Sequence, residues 1–147
     1  MTDILSAPAP LQTKILLVES NLAGRDMLIR RLERRGFAVC GAADGPTGVT
    51  LAVSEMPDVI LMDINLPGIS GITALRILAD DPATAHIPVI ALSANAIPRD
   101  IEKGLEAGFF RYLTKPIKVN EFMETLDIAL ERAKAQSERV HQMELAQ

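Results

Sequence analysis

The sequence predicts an α/β protein, a three-layer α/β/α sandwich around a five-stranded parallel sheet. Five short apolar runs alternate with segments of helical periodicity along the 147 residues. Several of these runs are apolar at every position, which is typical of strands buried on both faces. The length fits one domain, and right-handed crossovers between parallel strands would place helices on both sides of the sheet.

The first two strand–helix units begin after a predicted flexible tail, residues 1–13, which carries prolines among small residues. The run KILLVE, beginning at Lys14, predicts the first strand. The helix after it is expected to use Asn21 as its N-cap and to end at Gly36. FAVCGA predicts the second strand. The second helix, DGPTGVTLAVSEM, is expected to use Asp44 as its N-cap, with Pro46 in its first turn.

The remaining three units follow the same alternation. DVILMD, IPVIALS and RYLTK predict the third, fourth and fifth strands. Helices are expected over Gly71–Asp80 and Arg99–Ala107, and Asn120 is expected to cap the last helix. The folded domain would span residues 14–133. Residues 134–147 contain charges but no glycine or proline, which predicts a helical extension or a frayed tail.

The composition disfavours several classes of protein. The single cysteine, Cys40, cannot form an internal disulfide, which is typical of a protein folded under reducing conditions. The apolar runs are much shorter than a membrane span, and the N-terminus carries an acid in place of a basic signal region. A net charge of −4 disfavours a nucleic-acid surface. We therefore expect a cytoplasmic protein that binds neither membranes nor nucleic acid.

Polar side chains follow four of the five predicted strands. They are Glu19 and Ser20 after the first strand, Asp63 and Asn65 after the third, Ser93 after the fourth, and Lys115 with Pro116 after the fifth. In a doubly wound sheet the ligand crevice lies outside the carboxyl ends of the strands. A carboxylate nucleophile, a second acid, a hydroxyl and a lysine in one crevice are what phosphoryl transfer to an aspartate requires.

Each of these residues, taken alone, has a simpler interpretation. Asp63 is typical of a turn and Ser93 of a cap. Glu19 alone would be a surface acid at a strand end, and Lys115 alone a solvated loop lysine. Four such residues at one predicted sheet edge favour a shared site over four independent explanations.

In these segments the chain resembles the receiver domain of two-component response regulators. ILLVES, LMDINLPGISG, IALSA and YLTKP stand in the order and spacing of that family, and the resemblance covers Lys14 to about Ala133. It implies the flavodoxin-like strand order 2-1-3-4-5, which the sequence periodicity leaves open. It also implies a signalling protein that undergoes its own phosphorylation and dephosphorylation and is not an enzyme acting on other substrates.

The resemblance implies a role for each residue of the crevice. Asp63 would be the phosphoacceptor, receiving its phosphoryl group from a histidine kinase or a histidine phosphotransfer protein. Glu19, Asp63 and the backbone carbonyl of Asn65 match the positions that bind Mg²⁺ in the family. Lys115 and Ser93 match the positions whose side chains contact phosphoryl oxygens.

Further positions match regulatory residues of the family. Tyr112 stands at the switch position that acts together with Ser93, although an ordinary half-buried strand tyrosine is an equal alternative. Asn65 and Asn95 match positions that tune the lifetime of the acyl phosphate. The Lys115–Pro116 bond is expected to be cis, as is usual in the family.

The resemblance also implies an output surface, formed by Arg99–Ala107, Phe110–Thr114 and Asn120–Ala133. Receivers use this face to bind a downstream protein or to form homodimers. We therefore expect the signal to leave the domain through protein contact there.

One position departs from the family. Ser20 stands where a second metal-binding acid is expected, so the site would lose one formal negative charge. If Mg²⁺ binding weakens by ~2 kcal/mol, the affinity falls roughly thirtyfold. The longer side chain of Glu19, or a water molecule, would offset part of the loss.

Two functions therefore stay open: a phosphoacceptor receiver, and a degenerate pseudo-receiver that acts as an interaction module with little or no phosphorylation. A small α/β enzyme or cofactor carrier is disfavoured, because the sequence has no G-x-G-x-x-G or Walker loop. The segment DIN also lacks the second acid of the haloacid dehalogenase phosphatases.

Overall fold

The computed structural model describes residues 12–94 and 97–145; for helix residues 119, 136–141 and 144 it describes the backbone alone. Strands and helices alternate along the chain. The strands are β1 Lys14–Val18, β2 Ala38–Ala42, β3 Val59–Asp63, β4 Val89–Ser93 and β5 Arg111–Thr114. The helices are α1 Leu22–Arg34, α2 Gly45–Glu55, α3 Gly71–Asp80, α4 Pro98–Ala107 and α5 Val119–Leu145.

The five strands form one parallel sheet in the order β2-β1-β3-β4-β5. This confirms the predicted fold class and the order 2-1-3-4-5. Strands β3 and β4 are buried at all five positions, whereas the edge strand β2 is mostly half-buried or exposed. Because all strands run in the same direction, their carboxyl ends lie along one edge of the sheet.

Two apolar cores lie on opposite faces of the sheet. Along β1, Leu16 and Val18 join a core with α2 and α3, while Ile15 and Leu17 join a core with α1 and α5. Successive strand residues point to opposite faces, so a continuous apolar run can serve both cores. Helices therefore cover both faces of the sheet, which gives the three layers that the sequence predicted.

Local signals at the helix ends agree with the sequence. The Asn21 side chain accepts a hydrogen bond from Gly24 N at 2.7 Å, and the Asp44 side chain accepts one from Thr47 N at 2.7 Å. Pro46 lies in the first turn of α2, where its missing N–H costs nothing. The predicted caps of α1 and α2 are therefore confirmed.

The start of α5 differs from the prediction. The helix begins at Val119, and Phe122 N donates to the carbonyl of Lys118 at 2.9 Å, so Lys118 is the N-cap residue. Asn120 is the second helical residue, and its expected capping role is wrong. A backbone carbonyl already satisfies the N–H that an Asn120 cap would have served. The helix then continues without a break to Leu145.

The predicted tail, residues 1–13, lies mainly outside the described residues. Its last two residues already contact the edge of the fold: Ala38 N donates to Thr13 O at 3.0 Å, and Gln12 Nε2 donates to Gly36 O at 3.3 Å. Within the described ranges, no helix, α5 included, combines the length and the apolar character that crossing a membrane requires.

Candidate functional site

Asp63 is the last residue of β3 and is held by the sheet. It pairs with Leu92 of β4, and Ile64 N donates to Leu92 O at 3.0 Å, so sheet pairing continues past the acid. The residue is 6% exposed. Its Oδ1 accepts a hydrogen bond from Asn65 N at 2.9 Å. Its other oxygen, Oδ2, accepts a hydrogen bond from the Lys115 side chain at 2.8 Å.

Helix α3 begins directly against the backbone of Asp63. Gly71 N donates to Ile64 O at 2.9 Å, and a Cβ on Gly71 would lie 2.6 Å from the carbonyl oxygen of Asp63. Only glycine permits so close an approach. After the Pro-Gly turn that follows β3, the first residue of α3 therefore packs directly against the backbone of Asp63.

Glu19 lies one residue beyond β1, and backbone contacts hold it on both sides. Its N–H donates to Ala42 O at 2.9 Å, and the Arg25 guanidinium donates to its carbonyl at 2.7 Å. Its carboxylate oxygen Oε2 accepts from Asn21 N at 3.1 Å. Like Asp63, Glu19 is 6% exposed.

Lys115, the residue after β5, connects the two acids. Its Nζ donates to Asp63 Oδ2 at 2.8 Å and also to Glu19 Oε1. Its backbone N–H donates to Ser93 O at 2.7 Å, which fixes the start of its side chain beside β4. The bond to Pro116 is cis, as expected. The structure thus brings Glu19, Asp63 and Lys115 into direct contact.

The charges of the three groups depend on one another. Burial raises the pKa of Asp63, and hydrogen bonds from Lys115 and Asn65 only partly oppose it, so the pKa lies above its ordinary value. Burial also raises the pKa of Glu19, but the hydrogen bonds from Lys115 and Asn21 outweigh it and the pKa lies below its ordinary value. Burial lowers the pKa of Lys115, and its bonds to both acids outweigh this and raise it. The lysine is therefore held as a cation.

The donor set for a divalent cation consists of two carboxylates and neutral oxygens. Among the side chains that the structure describes, no three of His, Cys, Asp or Glu gather where they could hold a metal ion. Ser20 is exposed next to Glu19. Mg²⁺ takes one or two carboxylates and keeps several waters. Glu19, Asp63 and the backbone carbonyl of Asn65 therefore fit this cation, with one formal charge fewer than a three-acid site.

The predicted switch residues lie on β4 and β5. Ser93 ends β4, is 2% exposed and pairs with Thr114. Tyr112 is half-buried, and its ring packs against Gly104 of α4, where a Cβ would lie 2.9 Å from the ring carbon Cδ2. Tyr112 thus connects β5 to α4.

The lifetime-tuning roles predicted for Asn65 and Asn95 both stay predictions. The side chain of Asn65 is exposed beside the site. Asn95 lies outside the described residues, so its predicted role stays a prediction.

Glu19 is held by two contacts that the sequence did not reveal. One comes from the guanidinium of Arg25 and the other from the backbone N–H of Asn21. Asn21 was identified only as a helix cap. Arg25 is one of several arginines in α1, and nothing in the sequence distinguishes it from Arg30. Its contact with Glu19 depends on how α1 lies against the sheet.

Comparison with known proteins agrees with this geometry. Residues 15–127 match the family model described as response regulator receiver domain. The response regulator PleD of Caulobacter vibrioides is 40% identical over 107 residues, which are 73% of this chain and 24% of PleD. The chain therefore spans about a quarter of PleD. The polar-differentiation response regulator DivK of Brucella anthropi is 37% identical over 76% of this chain and 91% of DivK.

Solved structures show the same likeness. The receiver domain of sensor histidine kinase PA1611 from Pseudomonas aeruginosa, solved with a magnesium ion coordinated in the active-site cleft, is 36% identical with a TM-score of 0.76, over 82% of this chain and 99% of that one. The chemotaxis response regulator CheY4 of Vibrio cholerae is 26% identical with a TM-score of 0.76, over 82% of this chain and all of that one. The chain belongs to the response regulator receiver domain family.

Proposed function

We propose that this receiver domain accepts a phosphoryl group on Asp63 from a histidine kinase or a histidine phosphotransfer protein. The observation that carries the proposal is the pair of hydrogen bonds from Lys115 Nζ to Asp63 and Glu19. An ammonium group held beside a buried carboxylate is suited to offset the charge of an incoming phosphoryl group. The domain would turn over no other substrate, and its single cysteine favours the cytoplasm.

In the proposed transfer, a bond forms between a carboxylate oxygen of Asp63 and the phosphorus atom. The phosphorus–nitrogen bond of the donor's phosphohistidine breaks, and its electron pair returns to the imidazole. Lys115 would pair with one phosphoryl oxygen and the Ser93 hydroxyl would donate to another. Bound Mg²⁺, held by Glu19, Asp63 and the Asn65 carbonyl, would supply further positive charge next to the phosphoryl oxygens.

The test is incubation with Mg²⁺ and acetyl phosphate, with modification followed by intact mass and by phosphate-affinity gel. We expect the unaltered protein to be modified and Asp63→Asn to stay unmodified. Asp80→Asn is the matched control, because Asp80 is an exposed acid at the end of α3, away from the site. A folded, unmodified wild-type protein would overturn the proposal.

A second candidate function is a pseudo-receiver, an interaction module without phosphate control. The observation in its favour is Ser20, which leaves two carboxylates at the site. Binding of Mg²⁺ and of beryllofluoride distinguishes the two functions, since a pseudo-receiver would take up neither while keeping its fold.

We propose that the donor docks in a groove between α1 and the segment after β5. One cavity, of ≈ 250 Å³, is lined by Glu19, Met27 and Lys115 among other residues. A second cavity, of ≈ 260 Å³, has Arg34 and Phe122 in its lining and shares Arg31 with the first. The groove reaches the site at one end, is largely apolar and carries arginines along its side. Such a surface fits an acidic, amphipathic helix.

Two phosphodonors separate docking from chemistry at this groove. The Arg34→Glu substitution should slow transfer from a phosphorylated histidine protein, because it reverses one rim charge. The same variant should be modified by acetyl phosphate at the wild-type rate, since a small donor needs no docking surface. Equal transfer rates with the protein donor would argue against the groove.

We propose that the output surface is the face of α4, β5 and α5, where a downstream protein or a second copy of the chain would bind. The contact of Tyr112 with Gly104 connects β5, which ends one residue before Lys115, to α4. Leu105 and Ile128 are 43% and 45% exposed on the two helices and would offer apolar contact area. Movement of Ser93 towards a phosphoryl group, with a new position for Tyr112, would change this face.

A further inference from the structure

The placement of Glu19 requires an explanation, because the residue lies past the last β1 residue that pairs with β3. The register between these strands ends at Val18 and Met62. On the β2 side, the Glu19 N–H still donates to Ala42 O at 2.9 Å. Its carbonyl oxygen is bound from α1, by the Arg25 Nη1 atom at 2.7 Å. A helix side chain thus supplies the backbone contact that the sheet no longer provides.

Edge strand β2 leaves room for this arginine. A Cβ on Gly41 would lie 3.3 Å from Arg25 Cδ and 3.1 Å from Ile29 Cδ1. Gly41 is not among the glycines with positive φ, so its backbone conformation does not require glycine. Glycine also weakens a strand interior. Two side chains of α1, those of Ile29 and Arg25, therefore lie close enough to Gly41 that any side chain there would push against both.

The consequence of both backbone contacts is a fixed side-chain direction at Glu19. With its N–H and its carbonyl both held, the residue directs its carboxylate between Asn21 N and Lys115 Nζ. We propose that Arg25 is a positioning residue, which holds the Glu19 carboxylate in the orientation needed for Mg²⁺ and phosphoryl transfer. This inference rests on the proposed phosphoacceptor function. Outer partners of metal ligands commonly change metal affinity by about ten- to a hundredfold.

The experiment compares Arg25→Met with Arg30→Met, which alters an exposed arginine of the same helix. We expect Arg25→Met to weaken Mg²⁺ binding and slow acetyl phosphate modification by about tenfold. We also expect faster hydrogen exchange at the Asn21 amide in metal-free protein, because that N–H donates to the Glu19 carboxylate. Arg30→Met should change none of these. Arg25→Lys keeps a side-chain donor, so its Mg²⁺ affinity, modification rate and Asn21 exchange rate should lie between those of Arg25→Met and wild type.

A second variant, Gly41→Val, perturbs the same contact without removing the charge. Its side chain would displace Ile29 Cδ1 and the Arg25 stem, its two nearest neighbours on α1, and we expect the same three changes. Wild-type values in both Arg25→Met and Gly41→Val would overturn the inference while leaving the proposed function intact. If the wild-type protein binds no Mg²⁺ and is not modified, the proposed function fails, and Asn21 exchange still decides whether Arg25 positions Glu19. If Arg25→Met does not fold, the results for Arg25→Lys and Gly41→Val decide whether Arg25 positions Glu19.

Discussion

Asp63 and Glu19 are alike in burial and share a partner, but different parts of the fold hold them. Each is 6% exposed, and each accepts a hydrogen bond from Lys115 Nζ. Asp63 is held by the pairing of β3 with β4 and by the start of α3. Glu19 keeps one backbone bond, to Ala42 of β2, and is otherwise held by hydrogen bonds from α1 and from the β1–α1 loop. The Asp63 side of the site therefore depends on the packed core, and the Glu19 side depends on a few replaceable contacts.

The largest expected effect is a loss of stability caused by crowding the backbone of Asp63. In Gly71→Ala the new Cβ would lie 2.6 Å from a backbone oxygen of Asp63, so the backbone must shift. We expect a loss of about 3 kcal/mol in the free energy of unfolding, measured by urea denaturation.

Gly24→Ala is the matched control on the Glu19 side. Its Cβ would lie 3.3 Å from Asn21 Oδ1, a side-chain atom that can move, and alanine favours a helix. We expect its stability to stay within about 0.5 kcal/mol of wild type. Equal losses in the two variants would contradict the difference between the two sides.

Removing the shared partner tests both sides together. Lys115→Met leaves two buried carboxylates facing each other, and we expect a loss of about 2 kcal/mol at pH 7. Without the lysine, the pKa values of both acids rise above their unfolded-state values. Stability of the variant is then lost as pH rises through those pKa values, so its deficit disappears below about pH 4.

The control for this charge is Lys118→Met, which removes an exposed lysine of the following loop. Unfolding free energies of both variants are measured from pH 3 to pH 8 at fixed salt. A deficit of Lys115→Met that stays constant across this range would show that lost packing, and not charge, is responsible.

Adding an acid beside Glu19 tests the contribution of that side of the site to Mg²⁺ affinity. Ser20→Asp restores one formal negative charge beside Glu19, and we expect Mg²⁺ to bind about tenfold more tightly, or about 1.4 kcal/mol. Ser20→Asn is the neutral control of similar size. Affinity is measured by titration of metal-free protein, and no change in Ser20→Asp would mean that Glu19 already compensates for the missing acid.

The smallest effect is a difference in titration between the two acids. In metal-free protein, we expect carboxyl NMR shifts to give Asp63 a pKa above its ordinary value and Glu19 a pKa below it. Glu19 then contributes stability that is lost as pH falls through its folded-state pKa. Asp63 has the opposite sign, because its contribution is lost as pH rises through its folded-state pKa. Two acids that titrate alike would contradict this difference.

Much of the fold follows from local features of the sequence. Apolar runs marked the strands to within a few residues, and the caps at Asn21 and Asp44 marked two helix starts. Parallel strands place their carboxyl ends at one edge, so strand positions predicted the edge that carries Glu19, Asp63 and Lys115. Their closeness along that edge also required the strand order, which only the family resemblance implied. The cap expected at Asn120 failed because α5 already begins at Val119, which places Asn120 inside the helix.

By itself, the sequence determined the fold class, the sheet edge that carries the acids, and the absence of an acid at Ser20. Only the tertiary structure decided how each acid is held: Lys115 between two carboxylates, Arg25 on the Glu19 carbonyl, and Gly71 against Asp63. The physical reason is range. Strand and helix periodicity arise from neighbouring residues, whereas these contacts join residues from separate elements and exist only once the helices have packed on the sheet.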